Sequence, residues 1–144
     1  SSSVNDQGFV SIDCTCDGKS ESPAIEWSGA PAGTKSFAIS LWHTAPDMEK
    51  SYWVVYNIPA DILNLEKNST GIGTLGTNSV NGQTEYAPPC SKGPGEKVYT
   101  YTVYALSAEP QISLSASQVS REVLLDAIQN ITLASAALNV TYTR

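Results

Sequence analysis

The segment SFAISLWHTAPDMEKSYWVVYNIP, residues 36–59, decides how this chain folds. It contains two apolar runs, Ser36–Trp42 and Ser51–Ile58, separated by a polar stretch with Pro46, the pattern of two neighbouring strands joined by a loop. In the first run Phe37, Ile39 and Leu41 alternate with Ser36, Ala38 and Ser40. In the second, Tyr52, Val54, Tyr56 and Ile58 alternate with Trp53, Val55 and Asn57, so both faces are apolar and the strand is expected to be covered on both sides. The connecting loop holds the only histidine, His43, beside Trp42, Thr44 and Asp47, and any chemistry is expected at that end.

Outward from this pair, Gly8–Asp13 reads as a short strand after a polar arm, residues 1–7, and Ala24–Trp27 as another. Val98–Leu106 is the clearest strand, with Tyr99, Tyr101, Val103 and Ala105 on one face and Thr100, Thr102, Tyr104 and Leu106 on the other. Residues 67–95 form a long irregular connection rich in glycine and proline. Ser120–Asn130 is expected to be helical, with Val123, Leu124, Ala127, Ile128 and Ile131 on one stripe and Ser117 or Ser120 as the cap. Leu138–Thr143 closes the chain as a strand with one wet face. The expectation is a mainly antiparallel β domain, residues 8–144, with one or two short C-terminal helices.

The chain of 144 residues is about one domain long, 41% hydrophobic and 15% charged. Its 8 basic residues are scattered among 14 acidic ones for a net charge of −6, which argues against a nucleic-acid surface or a patch for anionic membranes. No apolar run reaches the ~18–20 residues of a membrane helix. The start at Ser1 without methionine fits a processed, exported protein. Three Asn-x-Ser/Thr signals, at Asn68, Asn130 and Asn139, fit the same setting as glycosylation acceptors.

The three cysteines allow one disulfide. Cys14 and Cys16 point the same way on a strand and do not bond readily to each other, so either one with Cys90, or three buried thiols, fits the spacing. A single His with these cysteines is too thin a set for a zinc site, and no other metal or cofactor is indicated. For hydrolysis the one base–orienter pair is His43 with Asp47, and no Gly-x-Ser-x-Gly elbow is present. Catalysis is therefore not expected.

Six pieces in register resemble the bacterial branch of the phosphatidylethanolamine-binding protein family. They are Cys16-Asp17-Gly18; Ser22-Pro23 with Ile25-Glu26-Trp27; Pro31–Ala38; Trp53–Asp61; Pro88-Pro89-Cys90; and Tyr99–Leu106. The resemblance implies an antiparallel β-sandwich with a small anion-binding pocket at one end. Cysteines at the positions of Cys16 and Cys90 imply that these two pair and that Cys14 is the extra thiol. The pocket segments depart from the family pattern: Asp-Pro-Asp-Ala-Pro falls on Trp42–Pro46, keeping only Ala45-Pro46, the histidine before Trp-Val-Val falls on Tyr52, and Gly-x-His-Arg-Tyr falls on Gly95–Tyr99 with Lys97-Val98 replacing His-Arg. The implied site is rebuilt around His43, Tyr52, Lys97 and Tyr99, with Trp42 beside them, for a small anionic ligand. The other expectation is a self-assembling extracellular subunit whose arm, residues 1–7, contacts a neighbouring copy as a homo-oligomer or polymer.

Overall fold

The computed structural model describes residues 1–44, 49–90 and 95–143. Seven strands form two antiparallel sheets: β1 (Ile25–Glu26) pairs with β4 (Asn64–Leu65), and β2 (Ser36–Thr44), β3 (Glu49–Pro59), β5 (Thr74–Leu75), β6 (Glu96–Leu106) and β7 (Thr132–Thr143) make a five-stranded sheet in the order β5-β3-β2-β6-β7. The hydrophobic pair around residues 36–59 thus occupies the centre of the large sheet, with β6 docked on its other side.

Both faces of this sheet are covered over its central strands. On one, Phe37, Ile39, Leu41, Tyr99, Tyr101 and Val140 meet residues of the N-terminal segment and the small sheet, such as Cys14, Ile25 and Leu65. On the other, Ala38, Val54, Tyr56 and Leu106 meet Val119 and the helix α1 (Arg121–Ile128) through Leu124 and Ile128. Each of these two fully buried side chains contributes roughly 1.5–3 kcal/mol by leaving water. Ser120 caps the helix by accepting a hydrogen bond from the Val123 amide. A 3-10 turn, Ala116–Gln118, precedes it.

Three expectations change in the structure. Gly8–Asp13 is not a continuous strand: Val4 bridges Val10, Phe9 bridges Thr141 in parallel, and Ile12–Cys14 is a 3-10 turn. The local hydrogen bonds of Ser11 and Thr15 compete with extension there. The last strand begins at Thr132 rather than Leu138, because pairing with the whole of β6 rewards an extended chain through a segment with no apolar alternation of its own. Finally, strict alternation fails along β3. Register shifts lie between Phe37 and Ile39 and between Leu41 and Trp42, so that Leu41 faces Trp53 while Trp42 faces Ser51. Tyr52 is the extra residue of a bulge and lands on the same core face as Trp53 and Val55, not with Val54 and Tyr56. The second irregularity takes in Asn57, at φ +57°.

The N-terminal arm is bound to its own chain. Ser1 donates through its hydroxyl to the Ala24 carbonyl, the Ser3 hydroxyl accepts from the Ala24 amide, and Ser3 is buried. In the long connection, Asn78 is fully buried and acts as a hub: its amide nitrogen donates to the carbonyls of Gln83 and Glu85, and its oxygen accepts from the amides of Val80 and Asn81. Gly76 is required by close approach, since a Cβ there would lie 2.5 Å from the Val119 carbonyl oxygen.

Candidate functional site

Antiparallel pairing brings the C-terminal ends of β2 and β7 and the N-terminal ends of β3 and β6 to one end of the sheet. There His43, Tyr52 and Tyr99 form a contiguous aromatic group. The His43 ring lies 4.9 Å from Tyr99, and Tyr52 meets Tyr99 edge-on at 5.2 Å. The bulge at Tyr52 is what turns its ring toward this group, a common use of bulges beside functional sites.

His43 Nδ1 lies 2.8 Å from the carbonyl oxygen of Val98. A carbonyl only accepts, so Nδ1 carries a proton and donates; in the neutral form of the ring Nε2 is then the acceptor. Burial pushes the ionisation of both phenols upward, and for Tyr99 the neighbouring Tyr52 adds to the effect. Both stay protonated, hence hydrogen-bond donors, throughout the physiological range.

Lys97 is half-buried two residues before Tyr99, on the same face of β6, and its register partner is Tyr142. The Tyr142 hydroxyl donates to the Asp17 carboxylate, next to Cys16. Tyr142 and Asp17 thus extend the site; Asp17 lies in the Cys16-Asp17-Gly18 piece, but nothing in the sequence linked it to Tyr142, because their proximity comes from β7 pairing with β6 and from the arrangement of the N-terminal segment. Ala45, Pro46 and Asp47 lie outside the described residues.

Trp42 does not join this group. It follows the even-numbered face of β2, where its Nε1 donates to the Thr102 hydroxyl at 3.4 Å and its ring is covered by the Arg121 guanidinium, 4.5 Å from the centroid. Successive residues of a strand point to opposite faces, so a Trp-His pair cannot line one pocket without a bulge between them.

Cys16 and Cys90 are joined in a disulfide, with Cα atoms 5.3 Å apart, and Cys14 is a buried free thiol. Asn68, Asn130 and Asn139 are all exposed; Asn139 accepts a hydrogen bond from the Thr100 hydroxyl. No group of three or more His, Cys, Asp or Glu side chains suited to a metal occurs among the described residues, and no helix described is long and apolar enough to cross a membrane.

With this geometry in hand, comparison with known proteins defines the class. The family model described as phosphatidylethanolamine-binding protein matches residues 1–143. The chain belongs to the phosphatidylethanolamine-binding protein family. A UPF0098 protein of Methanothermobacter thermautotrophicus is 34% identical over 146 residues, covering 97% of this chain and 94% of that protein. The crystal structure of Escherichia coli YbcL, described as a member of the mammalian family, superposes with a TM-score of 0.88 at 25% identity, covering 100% of this chain and 96% of that one. A homologue from Chlamydia trachomatis, CT736, superposes at 0.85 with 26% identity, covering 94% and 90%.

Proposed function

We propose that this chain is a non-catalytic binding module that holds a small anion at the end of its large sheet, with Lys97 as the cation and Tyr52 and Tyr99 as neutral donors. The observation that carries the reading is the aromatic group itself: two phenols held protonated and a histidine of defined tautomer, in contact, one strand step from a lysine. Such a set offers donors to a phosphate or carboxylate. It offers little for hydrolysis, because His43 Nδ1 is tied to a backbone carbonyl rather than to an orienting carboxylate. The Cys16–Cys90 bridge supports an oxidising, extracellular setting, in which Asn68, Asn130 and Asn139 are accessible to glycosylation.

Calorimetric titration with phosphate, acetate and phosphoethanolamine tests the reading. Saturable binding to wild type that Lys97→Met weakens is expected; no saturation up to about millimolar ligand, an affinity of only ~4 kcal/mol, would reject it.

A second reading, an extracellular assembly subunit, is favoured by the open edge of β7 rather than by the arm, whose described contacts are with its own chain.

A further inference from the structure

Strand β7 is the terminal strand of the five-stranded sheet, and its residues Thr132–Asn139 are all exposed, on both faces. Exposed edges are normally protected by charge, proline, brevity or a covering segment. The opposite edge, β5, is protected by being two residues long. By contrast, residues 131–143 contain no charged residue and no proline. The protein's net charge of −6 therefore has no local counterpart on this edge.

The backbone shows which groups are open. The Thr141 amide donates to the Gly8 carbonyl and the Thr141 carbonyl accepts from the Val10 amide, so residue 141 turns its polar groups away from β6 and the N-terminal segment covers them. Pairing of β7 with β6 is regular from Ala134 to Thr143. Asn139, Ala137 and Ser135 therefore also present their amides and carbonyls outward, and no backbone partner meets them among the described residues. The covering segment stops where the open stretch begins.

A groove of about 110 Å³ adjoins that stretch, lined by Trp27, Pro31, Phe37, Val103, Ala134 and Ala136 among others. Trp27 Nε1 is buried beside it without a hydrogen-bond partner. On β7, Ala134, Ala136 and Leu138 share the face that carries this groove, since they alternate into the buried Val140 and Tyr142. Leu138 is 38% exposed, a large apolar side chain with little cover.

We infer that a second copy of this chain adds to β7, antiparallel, across a two-fold axis at Ala136, joining the two large sheets edge to edge. A two-fold axis normal to the sheet requires one residue to face its own copy, and open groups at 135 and 137 bracket 136 as the non-hydrogen-bonded pair between them. In that register Leu138 of each copy stands opposite Ala134 of the other, on the groove face. The small side chains of Ala134 and Ala136 leave room for it under Trp27 and Pro31. The contact is a strand-length interface with one apolar anchor per side, below the ~1,000 Å² of a tight complex, so the dimer is concentration-dependent. The inference is independent of the anion site, which lies toward the Tyr142 end of β7.

Sedimentation equilibrium of the intact protein from about 1 μM to about 1 mM should show a monomer–dimer equilibrium. Ala137→Pro removes one outward amide without touching the β6 ladder, and Ala136→Lys places a charge against itself; each should weaken the dimer at least tenfold while near-ultraviolet circular dichroism stays native. If the proline variant fails to fold, the lysine variant, at an exposed position, carries the test. Ala136→Cys should form a disulfide-linked dimer on non-reducing electrophoresis, and Leu138→Cys should not, because it faces Ala134. A monomer over the whole range would overturn the inference. So would a dimer unchanged by folded Ala136→Lys, or cross-linking through Leu138→Cys in preference to Ala136→Cys.

Discussion

The Arg121 guanidinium lies over the Trp42 ring at 4.5 Å, and its Nη1 reaches Glu49 at 2.6 Å. Arg121 occupies the first turn of α1, where the helix dipole disfavours a cation. It is held there by what it touches on the sheet: an aromatic face on β2 and a carboxylate on β3. The Arg121 side chain is only 10% exposed, whereas that of Glu49 is 49% exposed, so solvent screens the ion pair and the ring contact carries much of the interaction.

Replacing Arg121 by Met should therefore lower stability by about 1–2 kcal/mol, measured by urea unfolding. Trp42→Leu in the same background should cost less than it does in wild type. Additive costs in this double-mutant cycle would show that the two side chains do not act together.

Cys16 and Cys90 close a loop of sequence separation 74. On the chain-entropy model their bridge contributes roughly 3–4.5 kcal/mol, so reduction should lower the urea midpoint markedly. Peptide mapping without reductant should find Cys16 linked to Cys90. Burial pushes the Cys14 thiol up, so it should resist iodoacetamide in the native protein and react on unfolding. Labelling of Cys14 at the rate of a free thiol in the folded protein would contradict this.

Alkaline stability follows from the tyrosines. Desolvation raises the ionisation of Tyr86, Tyr99 and Tyr101 well above the ordinary phenol value of 10.0. Above about pH 10 the unfolded chain loses phenolic protons that the folded chain keeps, so it binds fewer protons and stability falls as pH rises. The stabilisation is complete below that pH and is lost above it, by about 1.4 kcal/mol per pH unit for each tyrosine involved. Tyr86→Phe should make this alkaline limb shallower by one proton. It should also cost about 1 kcal/mol at neutral pH, because the Tyr86 hydroxyl donates to the Cys14 carbonyl at 2.6 Å. Unfolding curves from pH 8 to about 11.5 would show both effects; an unchanged alkaline slope would contradict the assignment.

At the anion site, Lys97→Met should weaken phosphate or carboxylate binding by about one to two orders of magnitude, the worth of a charge-assisted hydrogen bond of roughly 1.5–3 kcal/mol. Tyr99→Phe should weaken it less, since it removes a single neutral donor. A reversed order in calorimetry would assign the anion to the phenols instead. His43→Gln should leave hydrolytic turnover at background, the level expected of wild type as well; activity abolished by that substitution would identify an enzyme.

Much of the architecture was legible in the chain itself. The strands β2, β3 and β6, the helix at Arg121–Ile128 and its Ser120 cap follow from apolar periodicity and capping chemistry, which are local. Cys16 with Cys90, and the grouping of His43, Tyr52, Lys97 and Tyr99 at one end, came from a family resemblance, and the structure brings the three aromatic members, His43, Tyr52 and Tyr99, into contact. Other features depend on pairing between distant segments. The bulge that turns Tyr52 onto the site face arises from the register of β3 on β2, which no alternation in β3 reveals. Trp42 was separated from His43 by the simple two-sidedness of a strand, and its true partner, Arg121, lies 79 positions later (121 − 42) on a helix that crosses the other face. The first half of β7, with its run of small uncharged residues, has no strand period to read; it is extended because β6 offers a full ladder of hydrogen bonds, and that same ladder leaves its outer edge open.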